Sequence, residues 1–307
     1  MLDLRLFHHY VEMTSGGYLN TFRNGIDQST NAVRATWFNW IVGLAHGSSN
    51  LMDALLSLAA FHLRYVNAGD KAVADAGHLY MTRAIEGHGR QLREGINADN
   101  AEEIFATSTC VAFYVSSGRH IQPGGEQDLM HWFQPWQGMR AVLQSCWHLI
   151  SNSDVKALIH QEHTQELLHP GTHNGQDQPI DTFNFLIDDL APFEVDPETQ
   201  QAYETSVRYL NKIYSSPENR HILKFPGIVT KQYVDLVAAK DPRALTILGY
   251  YFMLIIQVEQ IWWLQGAVER DFPVLMNDLP EMWKPRMVWA LAEFERYDDL
   301  MLGFSSN

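Results

Sequence analysis

Cysteine is scarce in this chain, with two among 307 residues, Cys110 and Cys146. A disulfide framework or a cysteine-based zinc module needs more sulfur than that, so neither organises the fold. Two isolated thiols fit a reducing, intracellular setting, nuclear or cytoplasmic. Positive charge is short as well: 22 Lys and Arg stand against 36 Asp and Glu, a net charge of −14, and no run of basic residues occurs. Phosphate backbones and anionic lipid surfaces are both recognised through clustered Lys and Arg. The composition therefore argues against direct nucleic-acid binding and against attachment to an acidic membrane surface. Apolar runs also stop short of the about 20 residues that a bilayer requires, and Asp3 and Arg5 interrupt the leucines at the start. Neither a membrane span nor a secretory signal is expected.

Catalytic signatures are missing too. The chain has no GxSxG elbow, no glycine loop ending in Lys-Ser/Thr, and no Cys beside an evident base. Gly124-Gly125 signals a turn only. Two acidic pairs and one Asn-Asp pair fall short of the halves of a magnesium–diphosphate site of the terpene-cyclase kind. Asp188-Asp189 meets Pro192 where a third acid is needed, Asn277-Asp278 is followed by Glu281 and Pro285, and Asp298-Asp299 stands near the end with no acid after it. The densest histidine group, His160, Glu162, His163, Glu166, His169 and His173, lacks the His pair at i and i+4 with a glutamate between. It reads as a solvated helix face running into a loop. No catalytic residue, metal ligand or cofactor is assigned.

What the chain does have is apolar and helical: 46% hydrophobic residues, 12% aromatic, with nine Trp and eleven Met. The stretch Asp241–Trp263, DPRALTILGYYFMLIIQVEQIWW, stands out. Asp241 suits a helix cap and Pro242 the first helical position. From Ala244 to Ile256 there is no charge, and a helix apolar on every face must be buried all round. Strand alternation is nearly absent. Helical spacing predicts helices over Leu4–Met13, Trp37–Leu44, Leu51–Val66, Asp70–Ile96, Glu102–Ser117 (capped by Asn100 or Asp99) and Met130–Ile150. Others follow from Pro197 to Tyr214 and over Ile228–Lys240, Arg243–Gly266, Glu269–Asp278 and Lys284–Tyr297. Glycine-rich breaks fall at Ser117–Asp128 and Gly171–Pro179. The expectation is an all-α fold, one large multi-helix domain over residues 1–307 of stacked antiparallel helices with an internal apolar pocket.

Several blocks carry a family resemblance. Pro242, Ala244-Leu245-Thr246-Ile247-Leu248, Tyr250-Tyr251 and Trp262-Trp263, with Trp283 and Trp289 after them, resemble the regulatory domain of fungal zinc-cluster transcription factors, the sterol uptake control branch in particular. LRLFHHYVEMT (Leu4–Thr14), NLMDALLSLAAFHLRY (Asn50–Tyr65) and HWFQPWQGMRAVLQSCW (His131–Trp147) resemble further blocks of that family in the same order. Members normally begin with a six-cysteine DNA-reading module, which two cysteines cannot build. Either a regulatory domain cut from a longer protein or a member without the DNA-binding half is expected.

The resemblance implies a mostly hydrophobic pocket that accepts a sterol or another apolar small molecule, whose loss releases the factor. Residues suited to its lining are Phe61, His62, Trp132, Trp136, Met139, Trp147, Tyr250, Tyr251, Met253, Gln257 and Trp262. Met and aromatic side chains adapt to irregular apolar shapes. Gln257, closing the apolar run, is the first choice to orient the ligand hydroxyl as a buried amide, with Tyr250 and His62 behind it. Two other readings stay open: a co-regulator without DNA binding that acts by homodimerisation or by pairing with other transcription regulators, and a repurposed member that does chemistry on a hydrophobic metabolite.

Overall fold

The computed structural model describes residues 2–16, 28–118, 128–152, 154–156, 181–190, 195–215, 219–258 and 262–305. The fold is all-α, and no strand occurs among the described residues. The helices gather into two compact units, Met1–Gln122 with Gln134–Leu168, and Pro123–Phe133 with His169–Asn307.

The first unit contains α1 (Leu2–Gly16), α2 (Gln28–Ala45), α3 (Ser49–Val66), α4 (Lys71–Glu94), α5 (Ala101–Gly118) and α6 (Gln134–Cys146). Two of these begin on side-chain caps that satisfy free N–H groups. The Leu51 N–H donates to Ser48 Oγ at 3.1 Å at the start of α3, and the Val73 N–H donates to Asp70 Oδ1 at 3.2 Å at the start of α4. Leu51, Ala54, Leu55 and Ala59 of α3 are fully buried. α4 lies tightly on α3 at Gly77, where a Cβ would stand 3.0 Å from that of Ala60, and Ser57 Oγ donates to the Gly77 carbonyl at 2.8 Å. Both cysteines are free and buried in this unit. Burial pushes the Cys110 thiol up to about 12 and the Cys146 thiol up to about 11, so both are inert.

Two sequence expectations are corrected here. Asn100 does not cap α5 with its side chain. It accepts the Asn97 N–H at 2.8 Å and donates to the Gly95 carbonyl at 3.0 Å, closing the turn after α4. The helix expected over Met130–Ile150 is divided into a 3₁₀ turn, Leu129–Trp132, and α6. Pro135 explains the break, because it lacks an N–H and disfavours helical geometry in the residue before it.

The second unit contains α7 (Pro197–Ser215), α8 (Phe225–Ile228), α9 (Lys231–Ala238), α10 (Pro242–Ile255), α11 (Ala267–Asp278) and α12 (Val288–Ser305). α10 is its centre. Every residue from Arg243 to Ile255 is buried, as the uncharged run predicts. Asp241 caps α10 by accepting the Ala244 N–H at 2.8 Å, and Pro242 takes the first position. The preceding joint is very short. Lys240, at φ 56, sits in the left-handed region, with its N–H donating to the Val237 carbonyl at 3.0 Å and the Asp241 N–H donating to that of Leu236 at 2.9 Å. This pair of bonds ends α9 in the manner usually reserved for glycine.

α10 is shorter than the sequence suggests. It stops at Ile255 and tightens into a 3₁₀ turn, Ile256–Val258, where the polar residues begin. The helix expected over Ile228–Lys240 is broken before α9, where Thr230 accepts the Tyr233 N–H at 3.2 Å as a new cap. The last expected helix opens as a 3₁₀ turn over Lys284–Met287. Gly249 lets α10 pass close to that turn, since a Cβ there would stand 2.2 Å from Met287 Cε. The His160–His173 group, Gly124-Gly125 and the Gly171–Pro179 loop lie outside the described residues.

Candidate ligand site

The residues expected to line a pocket divide between the units. Phe61, His62, Trp136, Met139 and Trp147 belong to the first, and Trp132, Tyr250, Tyr251, Met253, Gln257 and Trp262 to the second.

In the second unit, α10 presents rings on two sides. Tyr251 stacks on Phe225 with centroids 4.3 Å apart and meets the edge of Trp132 at 6.3 Å. Trp132 also contacts Phe252 at 5.2 Å. On the other side Tyr250 meets Phe183 at 5.6 Å, Phe185 at 5.4 Å and Trp289 at 5.7 Å. Offset and edge contacts at these distances add to what burial alone contributes. Met253 and Trp262 are buried as well. The polar groups stand differently from expectation. Gln257 is exposed, because the helix ends two residues before it. The Tyr250 hydroxyl donates to the Arg286 carbonyl at 2.7 Å, and burial pushes this phenol up to about 12.

In the first unit, Phe61 is buried against Tyr114 at 5.4 Å. His62 is half-buried, with its Nδ1 2.9 Å from His9 Nε2 and the two rings stacked at 5.1 Å. Burial, helped by the His9 ring, pulls His62 down to about 4, so it is neutral at pH 7. Met139 is buried, while Trp136 and Trp147 pack half-buried against the core. Lys156 lies over the Trp147 ring at 5.8 Å.

Polar clusters that sequence reasoning missed accompany these rings. In the second unit Asp271 is buried, accepts from Trp132 and Arg270, and stands beside the His131 ring. Trp132 Nε1 donates at 2.7 Å, Arg270 Nε donates at 2.9 Å, and His131 Nε2 lies 3.0 Å away. Burial alone would raise this carboxyl, but the contacts with His131 and Arg270 outweigh it and hold it down to about 2. Asp189 pairs with two guanidinium groups, Arg243 at 2.8 Å and Arg286 at 3.2 Å. Those bonds hold it down to about 2. Trp283 stacks on both arginines, at 5.2 Å from Arg243 and 4.7 Å from Arg286. Asp278 accepts Lys240 Nζ at 2.8 Å.

In the first unit, α4 and α5 share a partly buried polar seam. Ser108 Oγ lies 2.9 Å from His88 Nε2, and Gln91 Nε2 donates to Glu103 Oε1 at 2.6 Å. Ser48 Oγ donates to the same Glu103 oxygen at 2.5 Å. The Ser108–His88 pair is not built as a nucleophile and base, since the far ring nitrogen, His88 Nδ1, has no partner among the described residues to orient it. The spacing of His88 and Gln91, three apart on α4, was the one signal of this seam in the sequence. Among the described residues no group of three His, Cys, Asp or Glu could hold a metal ion. No helix among them is long and apolar enough to cross a membrane.

Comparison with known proteins adds the context. A family profile described as fungal specific transcription factor domain matches residues 5–170. A Zn(2)-C6 fungal-type transcription factor of Gibberella zeae is 33% identical over 308 residues, covering 94% of this chain. The Zn(2)-C6 fungal-type transcription factor afumD of Aspergillus fumigatus is 22% identical over 271 residues, 82% of this chain. Sterol uptake control protein 2 of Candida albicans is 25% identical over 312 residues, 91% of this chain. The chain spans 60%, 67% and 40% of the lengths of these three proteins.

Proposed function

The chain belongs to the fungal specific transcription factor domain family, and from that premise we propose that it senses a sterol-like hydrophobic molecule and thereby controls transcription in the nucleus. Its place in transcription regulation follows from the family. The ligand is the further step. The observation that carries it is the similarity, along 91% of this chain, to a protein named for the control of sterol uptake.

The apolar chemistry supports the reading. Tyr250, Tyr251, Met253, Trp262 and Trp132 in the second unit, and Phe61, His62, Trp136, Met139 and Trp147 in the first, offer rings and thioethers of the kind that grip a rigid hydrocarbon. A sterol of about 30 heavy atoms at roughly 0.3 kcal/mol per atom gives about 9 kcal/mol, which is sub-micromolar binding. To shift a regulatory equilibrium from mostly one state to mostly the other, about 5 kcal/mol of it must differ between the states.

Native mass spectrometry of the purified protein, with identification of co-purifying lipids, tests this directly. A one-to-one complex with a sterol or similar apolar molecule is expected, and added sterol should raise the melting temperature. Protein free of lipid, with a melting temperature unmoved by sterol, refutes it.

A further inference from the structure

We infer that the partly buried polar seam between α4 and α5 binds the hydroxyl group of the ligand. This rests on the reading that the domain takes a hydroxylated apolar molecule, and it says where the polar end goes. An anchor is needed because Gln257 is exposed and the Tyr250 hydroxyl already donates to a backbone carbonyl.

Three buried polar atoms of the seam have no hydrogen-bond partner among the described residues: His88 Nδ1, Gln91 Oε1 and Thr107 Oγ1. Buried polar groups are normally hydrogen-bonded, so a ligand that supplies partners to three of them on one helix pair would be held there. The three are bracketed by contacts already made. His88 and Gln91 share one face of α4. Ser108, which holds His88, directly follows Thr107, and Glu103, which holds Gln91, lies one helical turn before it. Thr107 thus stands on α5 between the two points where that helix grips α4.

The hydrogen-bonding roles of the three atoms are complementary to an alcohol. The Glu103 carboxylate accepts from Gln91 Nε2, which fixes the amide and leaves its oxygen as an acceptor. When Ser108 donates to His88 Nε2, the ring proton resides on Nδ1, which becomes a donor. The Thr107 hydroxyl is a second donor. An alcohol oxygen gives one hydrogen bond and takes two. It would donate to Gln91 Oε1 and accept from His88 Nδ1 and Thr107 Oγ1. A water molecule has a second proton still to place. Burial lowers the affinity of His88 for a proton, which keeps the ring in the neutral form that this arrangement uses. A ligand hydroxyl held this way would stand amid apolar side chains of the same two helices, with Met81 and Ala84 on α4 and Phe105 and Ile104 on α5 all buried.

The test uses cholesterol and its 3-deoxy hydrocarbon, cholest-5-ene, delivered from cyclodextrin to the purified chain, wild type, Gln91→Met and Thr107→Val. Wild type should prefer the alcohol by about tenfold or more, the worth of one or two buried hydrogen bonds. Each substitution should cut that preference by about tenfold while leaving affinity for the hydrocarbon within about twofold. Because the ratio is read within each protein, with the hydrocarbon as the control for folding, a general loss of stability does not imitate the result. Thr107→Val is the cleaner variant, since its hydroxyl has no partner within the described protein to lose. If both variants keep the wild-type preference, the anchor lies elsewhere and the inference is overturned while sterol sensing stands. If wild type binds both compounds equally, no anchor exists and the inference falls. Binding of neither compound removes the ligand reading and this inference with it. If ligand-free Thr107→Val loses stability with its preference intact, the seam holds ordered water only, which also overturns the inference.

Discussion

Replacing Asp271 with Asn removes one negative charge from the interior of the second unit and leaves its shape almost unchanged. In wild type the carboxylate accepts Trp132 Nε1 and Arg270 Nε and lies 3.0 Å from His131 Nε2, on a side chain 8% exposed. Asn keeps one oxygen for these donors but turns an NH₂ toward the others. Removing one partner from a buried charged network costs about 3–5 kcal/mol. Arg270 is 37% exposed and can rehydrate, so the cost here is about 2–3 kcal/mol. A second figure follows from the depressed carboxyl. The Asp271 carboxyl is held down to about 2, below its ordinary 3.8. A depressed folded value contributes stability above the unfolded value that fades as pH falls toward the folded one, about 2 kcal/mol at pH 7. Roughly half of this has gone by pH 3. The assay is urea unfolding followed by tryptophan fluorescence at pH 7 and pH 3. The stability gap between wild type and Asp271→Asn should be about 2–3 kcal/mol at pH 7 and close by about 1 kcal/mol at pH 3. A gap under about 0.5 kcal/mol at pH 7, or one that does not narrow in acid, refutes the network as described.

Substitutions at Gly249, Lys240 and Tyr203 probe the frame around α10. Gly249→Ala should cost about 1–3 kcal/mol because its methyl group drives into Met287. In a double-mutant cycle with Met287→Ala the two losses should fall short of additivity by more than about 0.5 kcal/mol, and strict additivity in denaturant titrations would contradict the contact. Lys240→Gly should be neutral or stabilise by up to about 1 kcal/mol, since relief of the left-handed strain outweighs an exposed ion pair with Asp278. Lys240→Ala, which loses the pair and keeps the strain, should be less stable than the glycine variant; thermal melts in the reverse order would count against it. Tyr203→Phe should cost about 1 kcal/mol, because its hydroxyl donates to Asp241 Oδ1 at 2.9 Å. An unchanged melting temperature would show that this bond contributes nothing.

The features legible in the sequence are those written locally. Asp241, Pro242 and the uncharged run after them announce a capped helix buried on all sides, and α10 is that helix. Family blocks in order pointed to a fungal transcription factor domain, to which the chain belongs. Where a helix stops was harder to see. Pro135 divides one expected helix and Thr230 restarts another, both through backbone effects that hydrophobic spacing does not register. The early end of α10 moved Gln257 from an expected interior place to the surface. Partners distant in the chain left no sequence signal. Trp132 meets Asp271 across 139 positions, and nothing near either residue announces the other.

Asp241 is at once the last anchor of α9 and the first of α10. With Lys240 alone as spacer, the joint has no slack to absorb a tilt. A displacement of α9 is therefore expected to carry the first turn of α10 with it, because both helix ends are tied to the same residue.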